Sequence, residues 1–152
     1  MQQFRFRQLQ GWFMTFLGEA YLLSAQIAKA RDLVLQGLEI TRDVKFWHGV
    51  GWAQCALSHI AQASSNLAQA ESLLREALQT FVSTQARFDV GRTHLELATL
   101  AHAMGDREAA TTHRQDAHDL FRALQVPKYV ARAEQCATEF DVSLPSASVQ
   151  GR

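Results

Sequence analysis

Three stretches of the sequence superimpose at a spacing of forty residues, and this repeat limits what the chain can fold into more than any single residue does. Leu17-Gly18-Glu19-Ala20-Tyr21 lies over Leu57-Ser58-His59-Ile60-Ala61 and over Leu97-Ala98-Thr99-Leu100-Ala101. The match continues through Ala30, Ala70 and Ala110, then Gly37, Ala77 and Ala117, and reaches back to Gly11, Gly51 and Gly91. A unit this short cannot bury its apolar face alone, so copies must stack on one another to share a core.

Within each unit the apolar residues recur at intervals of three and four, which gathers them on one stripe of a helix rather than on alternate faces of a strand. Each unit therefore reads as two helices. The first helices fall at about residues 7–24, 46–63 and 86–104, and the second at about 27–43, 67–82 and 107–123. Gly105-Asp106 marks one turn well, since glycine tolerates a left-handed backbone and aspartate caps the next helix; Asn66 supplies a cap in the preceding unit. A last helix opens at Pro127, whose missing amide proton costs nothing in a first turn, and runs to about Phe140. The expected fold is all-α, with negligible strand content: an α-solenoid of three antiparallel helix pairs (about 6–45, 46–85 and 86–126) and a C-terminal capping helix, 127–140. Residues 141–152 are small, polar and broken by Pro145, and are expected to be a disordered tail.

Several classes of function are disfavoured. Fifteen basic residues balance fifteen acidic ones, with no concentrated basic face of the kind that nucleic acid or an anionic membrane requires. Two cysteines in different helices make no disulfide framework, and no segment is apolar and long enough for a signal-peptide core or a membrane span, so a cytoplasmic protein is expected. Cys55 and His59 sit one helical turn apart, but nothing nearby suggests an electropositive setting or an oxyanion site, so no catalytic residue is assigned. The six histidines include no pair at i and i+4, which points to no metal, and Gly49-Val50-Gly51 lacks the strand and third glycine of a dinucleotide loop. No cofactor is expected.

The aligned positions resemble the tetratricopeptide repeat. They are Leu17, Gly18, Tyr21, Ala30 and Gly37, then Leu57, Ser58, Ala61, Ala70 and Ala77, then Leu97, Ala98, Ala101, Gly105, Ala110 and Ala117. The period departs from the commonest thirty-four residues, and the longer form is similar to helical arrays in large bacterial signalling proteins such as transcriptional regulators and nucleotide cyclases. The resemblance implies a non-catalytic interaction scaffold whose first helices line a concave groove for a peptide or protein segment. Carried onto this chain, the groove positions are Trp12, Thr15, Glu19 and Leu22; Trp52, Cys55, His59 and Gln62; and Arg92, Leu95, Thr99 and His102. Trp12, Trp52 and Arg92 then form a ladder. Two readings stand for the tryptophans, a recognition surface or packing between units. Effector sensing or homo-oligomerisation within a larger regulator is the alternative function.

Two further expectations concern assembly. The resemblance places glycine in the turn inside each unit, where this chain has Ala25 and Ser65, so these turns are expected to be strained and prone to open, fusing helices and exchanging units between chains. Phe4, Phe6, Trp12, Phe13 and Phe16 crowd the first helix where no earlier unit covers them, which suggests self-association or continuation into a longer array.

Overall fold

A computed structural model describes residues 2–142. They form seven helices with no strand: α1 (Gln2–Leu23), α2 (Ile27–Asp43), α3 (Trp47–Ala63), α4 (Leu67–Ser83), α5 (Arg87–Ala103), α6 (Arg107–Ala123) and α7 (Pro127–Val142). Neighbouring helices pack in consecutive pairs, as in an all-α solenoid. No helix among the described residues is long and apolar enough to cross a membrane. The first helix begins at Gln2, earlier than the apolar stripe suggests, and the last continues two residues past Phe140. The tail expected at 141–152 otherwise lies outside the described residues. The chain divides into two compact units, with the boundary between Thr93 and His94 inside α5.

The turns follow one design. Helices α2 to α6 each span 17 residues, and each connector contains one residue in the left-handed region: Ala25 (φ 60°), Lys45 (55°), Ser65 (58°), Gln85 (57°), Gly105 (83°) and Gln125 (57°). The following amide donates to the carbonyl five residues back, at 2.8 to 3.0 Å, in the series Gln26 to Tyr21, Phe46 to Thr41, Asn66 to Ala61, Ala86 to Phe81, Asp106 to Ala101 and Val126 to Phe121. Such a bond satisfies a helix-terminal carbonyl that would otherwise lack a partner. Ala25 and Ser65, expected in strained turns prone to open, stand in closed turns made by the same bond that Gly105 uses. The strained backbone is real, and it extends to the turns between units at Lys45, Gln85 and Gln125. Asn66 and Asp106 cap their helices, accepting from the amides of Gln69 at 3.2 Å and Ala109 at 3.0 Å.

In the first unit, α1 and α2 cross with their backbones in contact. A Cβ placed on Gly37 would stand 2.7 Å from both the Gly11 carbonyl oxygen and Thr15 Oγ1, closer than real side chains come. Glycine is required by space here, whatever its dihedral angles. The hydroxyls flanking the crossing return to their own helices, Thr15 to the Gly11 carbonyl at 3.2 Å and Thr41 to the Gly37 carbonyl at 2.9 Å, so no buried polar group is stranded by the contact. One helix pair later, Ser58 faces the equivalent of the residue that Gly18 faces: Gly18 abuts Ala30, and Ser58 donates to the Ala70 carbonyl at 2.9 Å. The forty-residue repeat is therefore a repeat of contacts. Ala30, Val34, Leu38, Val50, Ala53, Ala56 and Ile60 form the buried core between α2 and α3, with Tyr21, Leu22, Ile27 and Leu57 packed against it. Gly51 makes room for the Phe81 ring, whose Cε1 would stand 2.5 Å from an added Cβ.

In the second unit Leu95, Ala117, Phe121 and Ala133 form the core, and Tyr129, Val130 and Cys136 cover it. The Phe121 and Tyr129 rings lie 5.0 Å apart. His102 stacks on Phe140 at 4.4 Å, which fixes α7 as a cover for this unit.

The two kinds of glycine should separate on substitution. Nothing lies within 4 Å of a Cβ added at Gly105, so Gly105→Ala should lower the unfolding free energy by backbone strain alone, about 1 kcal/mol. Gly37→Val overfills a backbone contact and should cost more, about 1–3 kcal/mol or loss of cooperative folding. Urea denaturation measures both, and equal losses in the two variants would contradict the assignment.

Candidate functional site

The face expected to carry recognition is assembled in the first unit by α1, α3 and the start of α5. Helix α1 packs on α3 as well as on α2, which brings equivalent positions of successive units side by side. The Trp12 and Trp52 ring centroids are 6.0 Å apart. Phe16 joins them, edge-on to Trp12 at 5.2 Å and 6.2 Å from Trp52. Trp52 is further bracketed by Phe46 at 6.2 Å and His48 at 4.5 Å. Neither tryptophan is fully buried, so both pack between α1 and α3 and also reach the surface.

The link from Trp52 to Arg92 runs through Asp89, which the sequence did not single out. Its carboxylate, 13% exposed, accepts from Trp52 Nε1 at 3.3 Å, lies 2.8 Å from His48 Nε2, and is 3.8 Å from an Arg92 Nη1. Asp89 occupies the first turn of α5, where the unpaired amides of a helix N-terminus favour an anion. The Arg92 contact is an ion pair too long for a hydrogen bond. Its guanidinium is 46% exposed and keeps N–H donors turned toward solvent. Trp12 Nε1 is shielded from water and has no acceptor, a deficit of about 1–3 kcal/mol.

Other expected groove positions divide. Glu19 and His59, forty residues apart, pair at 3.0 Å between Oε1 and Nδ1, with each side chain 34% exposed. Gln62 donates to Ser58 Oγ at 3.3 Å beside them. Leu22 packs on the core between α2 and α3, partly buried. Cys55 is half-buried, and neither cysteine forms a disulfide. His59 turns its Nδ1 to Glu19, and burial, foremost, raises the Cys136 thiol pKa, followed by Glu139 and opposed by Arg132 and Arg114. Thr15, expected on this face, is 2% exposed and belongs instead to the contact between α1 and α2. Leu95 is likewise buried, at 7%, in the core of the second unit. Thr99 is exposed, with its hydroxyl returned to the Leu95 carbonyl at 3.1 Å, and His102 is held by Phe140. Phe4, Phe6, Phe13 and Phe16 are exposed on α1 by 45–70%.

A second set of residues also escaped the sequence. His94 of α5 and His113 and Asp116 of α6 place one donor atom each within 4.8 Å of one another. Spacing at i and i+4 does not mark them, because the two histidines lie on different helices. An open cleft of about 520 Å³ sits where α6 turns into α7, lined by Arg122, Val126, Pro127, Val130 and Glu134 among others.

Compared with known proteins, the chain matches no family model and no curated sequence.

Asp89→Ala should cost about 1–3 kcal/mol of stability, because it strands the Trp52 indole and the His48 ring together. Arg92→Ala, at an exposed ion pair, should stay within about 0.5 kcal/mol of the parent. Thermal denaturation followed at the helical circular-dichroism minimum tests this pair, and a larger loss at Arg92 than at Asp89 would refute the hub.

Proposed function

We propose that the chain is a tetratricopeptide-like array with no chemistry of its own, and that it binds a peptide or protein segment across the face of Trp12, Trp52 and Arg92. One observation carries this reading. Two half-buried indoles in contact continue, through Asp89, to an arginine with unused donors. Tryptophan and arginine are the residues most often dominant in binding energy, since they combine large apolar area with directional donors.

The arrangement favours a particular kind of segment. An apolar or aromatic side chain suits the Trp12 and Trp52 rings, and a carboxylate nearby suits Arg92, whose planar fork matches that geometry. Because Trp12 Nε1 has no acceptor within the chain, a main-chain carbonyl of the bound segment would supply the hydrogen bond it lacks. Asp89 performs two tasks on this reading. It orients Trp52, and its negative charge holds Arg92 at the edge of the site while repelling an acidic group that strays too deep.

Peptides selected from a random display library on the full chain should share an apolar residue beside an acidic one. Arg92→Glu should weaken the best of them at least tenfold, about 1.4 kcal/mol, with helical content unchanged. Trp52→Ala should do the same. Unchanged affinity in both variants, each still folded, would show that this face is not the binding surface.

A further inference from the structure

Helix α5 presents His94 toward α6, where His113 and Asp116 lie three residues apart on one face. The Nδ1 atoms of the two imidazoles are 3.0 Å apart, and Asp116 Oδ2 is 3.9 Å from His94 Nδ1. Two ring nitrogens that close cannot both carry a proton. At most one N–H sits between them, and at least one lone pair points inward.

We propose that His94, His113 and Asp116 bind a zinc ion, with a fourth position open to water or to a donor group of a ligand. The spacing fits. Tetrahedral zinc with bonds of about 2.0–2.1 Å needs donors about 3.3 Å apart. The two nitrogens need to part by only a few tenths of an ångström. The carboxylate needs to close on His94 by about half an ångström from 3.9 Å, all three donor atoms already lie within 4.8 Å of one another, and the Asp116 side chain, 52% exposed, has room to move.

The chemistry of the set favours zinc over the hard cations, since magnesium and calcium take oxygen ligands and two of these three donors are imidazoles. The state of His94 also suits a ligand. Burial lowers its pKa below the ordinary 6.5, and His113 lowers it further, while Asp116 acts in the opposite sense. A neutral imidazole has a lone pair to give. With its side chain 16% exposed, His94 anchors the inner side of the site, and the exposed Asp116 leaves a path for the ion to enter. The metal would tie α5 to α6, so binding should stabilise the second unit as well as occupy it.

The test uses the full chain, freed of metal with a chelator, desalted and titrated with zinc sulfate by calorimetry. Saturation at one ion per chain is expected, with a rise in melting temperature. His94→Gln and His113→Gln should each weaken binding by more than about tenfold, as loss of even an outer-shell partner costs roughly 10–100-fold. Asp116→Asn removes an exposed donor without disturbing the core, so it should keep its metal-free melting temperature while losing affinity. His118→Gln, on α6 but outside the set, should bind like the parent. No saturable binding would overturn the site and leave the histidines a pair sharing a proton. Binding that survives Asp116→Asn and His94→Gln unchanged would overturn it equally.

Discussion

The seven described helices are joined by one backbone hydrogen bond repeated every twenty residues. At the end of each of the first six helices one residue turns left-handed, and the next amide reaches five residues back to close the turn. The bond both ends a helix and starts the next in a fixed direction. Within the first unit the two connectors between α1 and α3 are the same length, α3 packs beside α1, and residues forty apart on these two helices become neighbours. Glu19 with His59 and Trp12 with Trp52 are the direct products of that beat.

The closure is bought at a backbone cost. Five of the six turns force a residue with a side chain into a conformation worth about 1–2 kcal/mol against it. What offsets the strain is packing between the helices that the turns align, most sharply at Gly11 and Gly37, where two backbones touch. Small residues therefore serve two distinct purposes here. Gly105 relieves a dihedral angle, whereas Gly37 vacates a volume, and neither substitutes for the other.

Much of this was legible in the sequence, and the limits are physical. Periodicity of three and four located the helices to within a few residues, because burial on one stripe is a local pattern. Asn66, Asp106 and Pro127 marked helix starts through local hydrogen bonding. The left-handed residues at Lys45, Gln85 and Gln125 left no mark, since tertiary packing overrode an unfavourable local preference and no glycine announced it. Thr15 was misplaced because helical spacing alone does not say whether a position faces solvent or a glycine on the next helix. Asp89 was missed for a related reason: its partners His48 and Trp52 come from another helix, and only the packed structure brings them to one carboxylate. The same holds for His94 and His113.

The proposed binding face is the one where the repeat aligns Trp12, Trp52 and Arg92. The three indoles offer the most direct reading of it, because Trp47 is 51% exposed and has no part in the ladder. Nitrogen–proton correlation spectra of the full chain, recorded during titration with a selected peptide, would resolve each side-chain N–H. Shifts confined to Trp12 and Trp52, with Trp47 still, are the predicted result. Movement of Trp47 alone, or a saturated complex that leaves both ladder indoles unmoved, would contradict it.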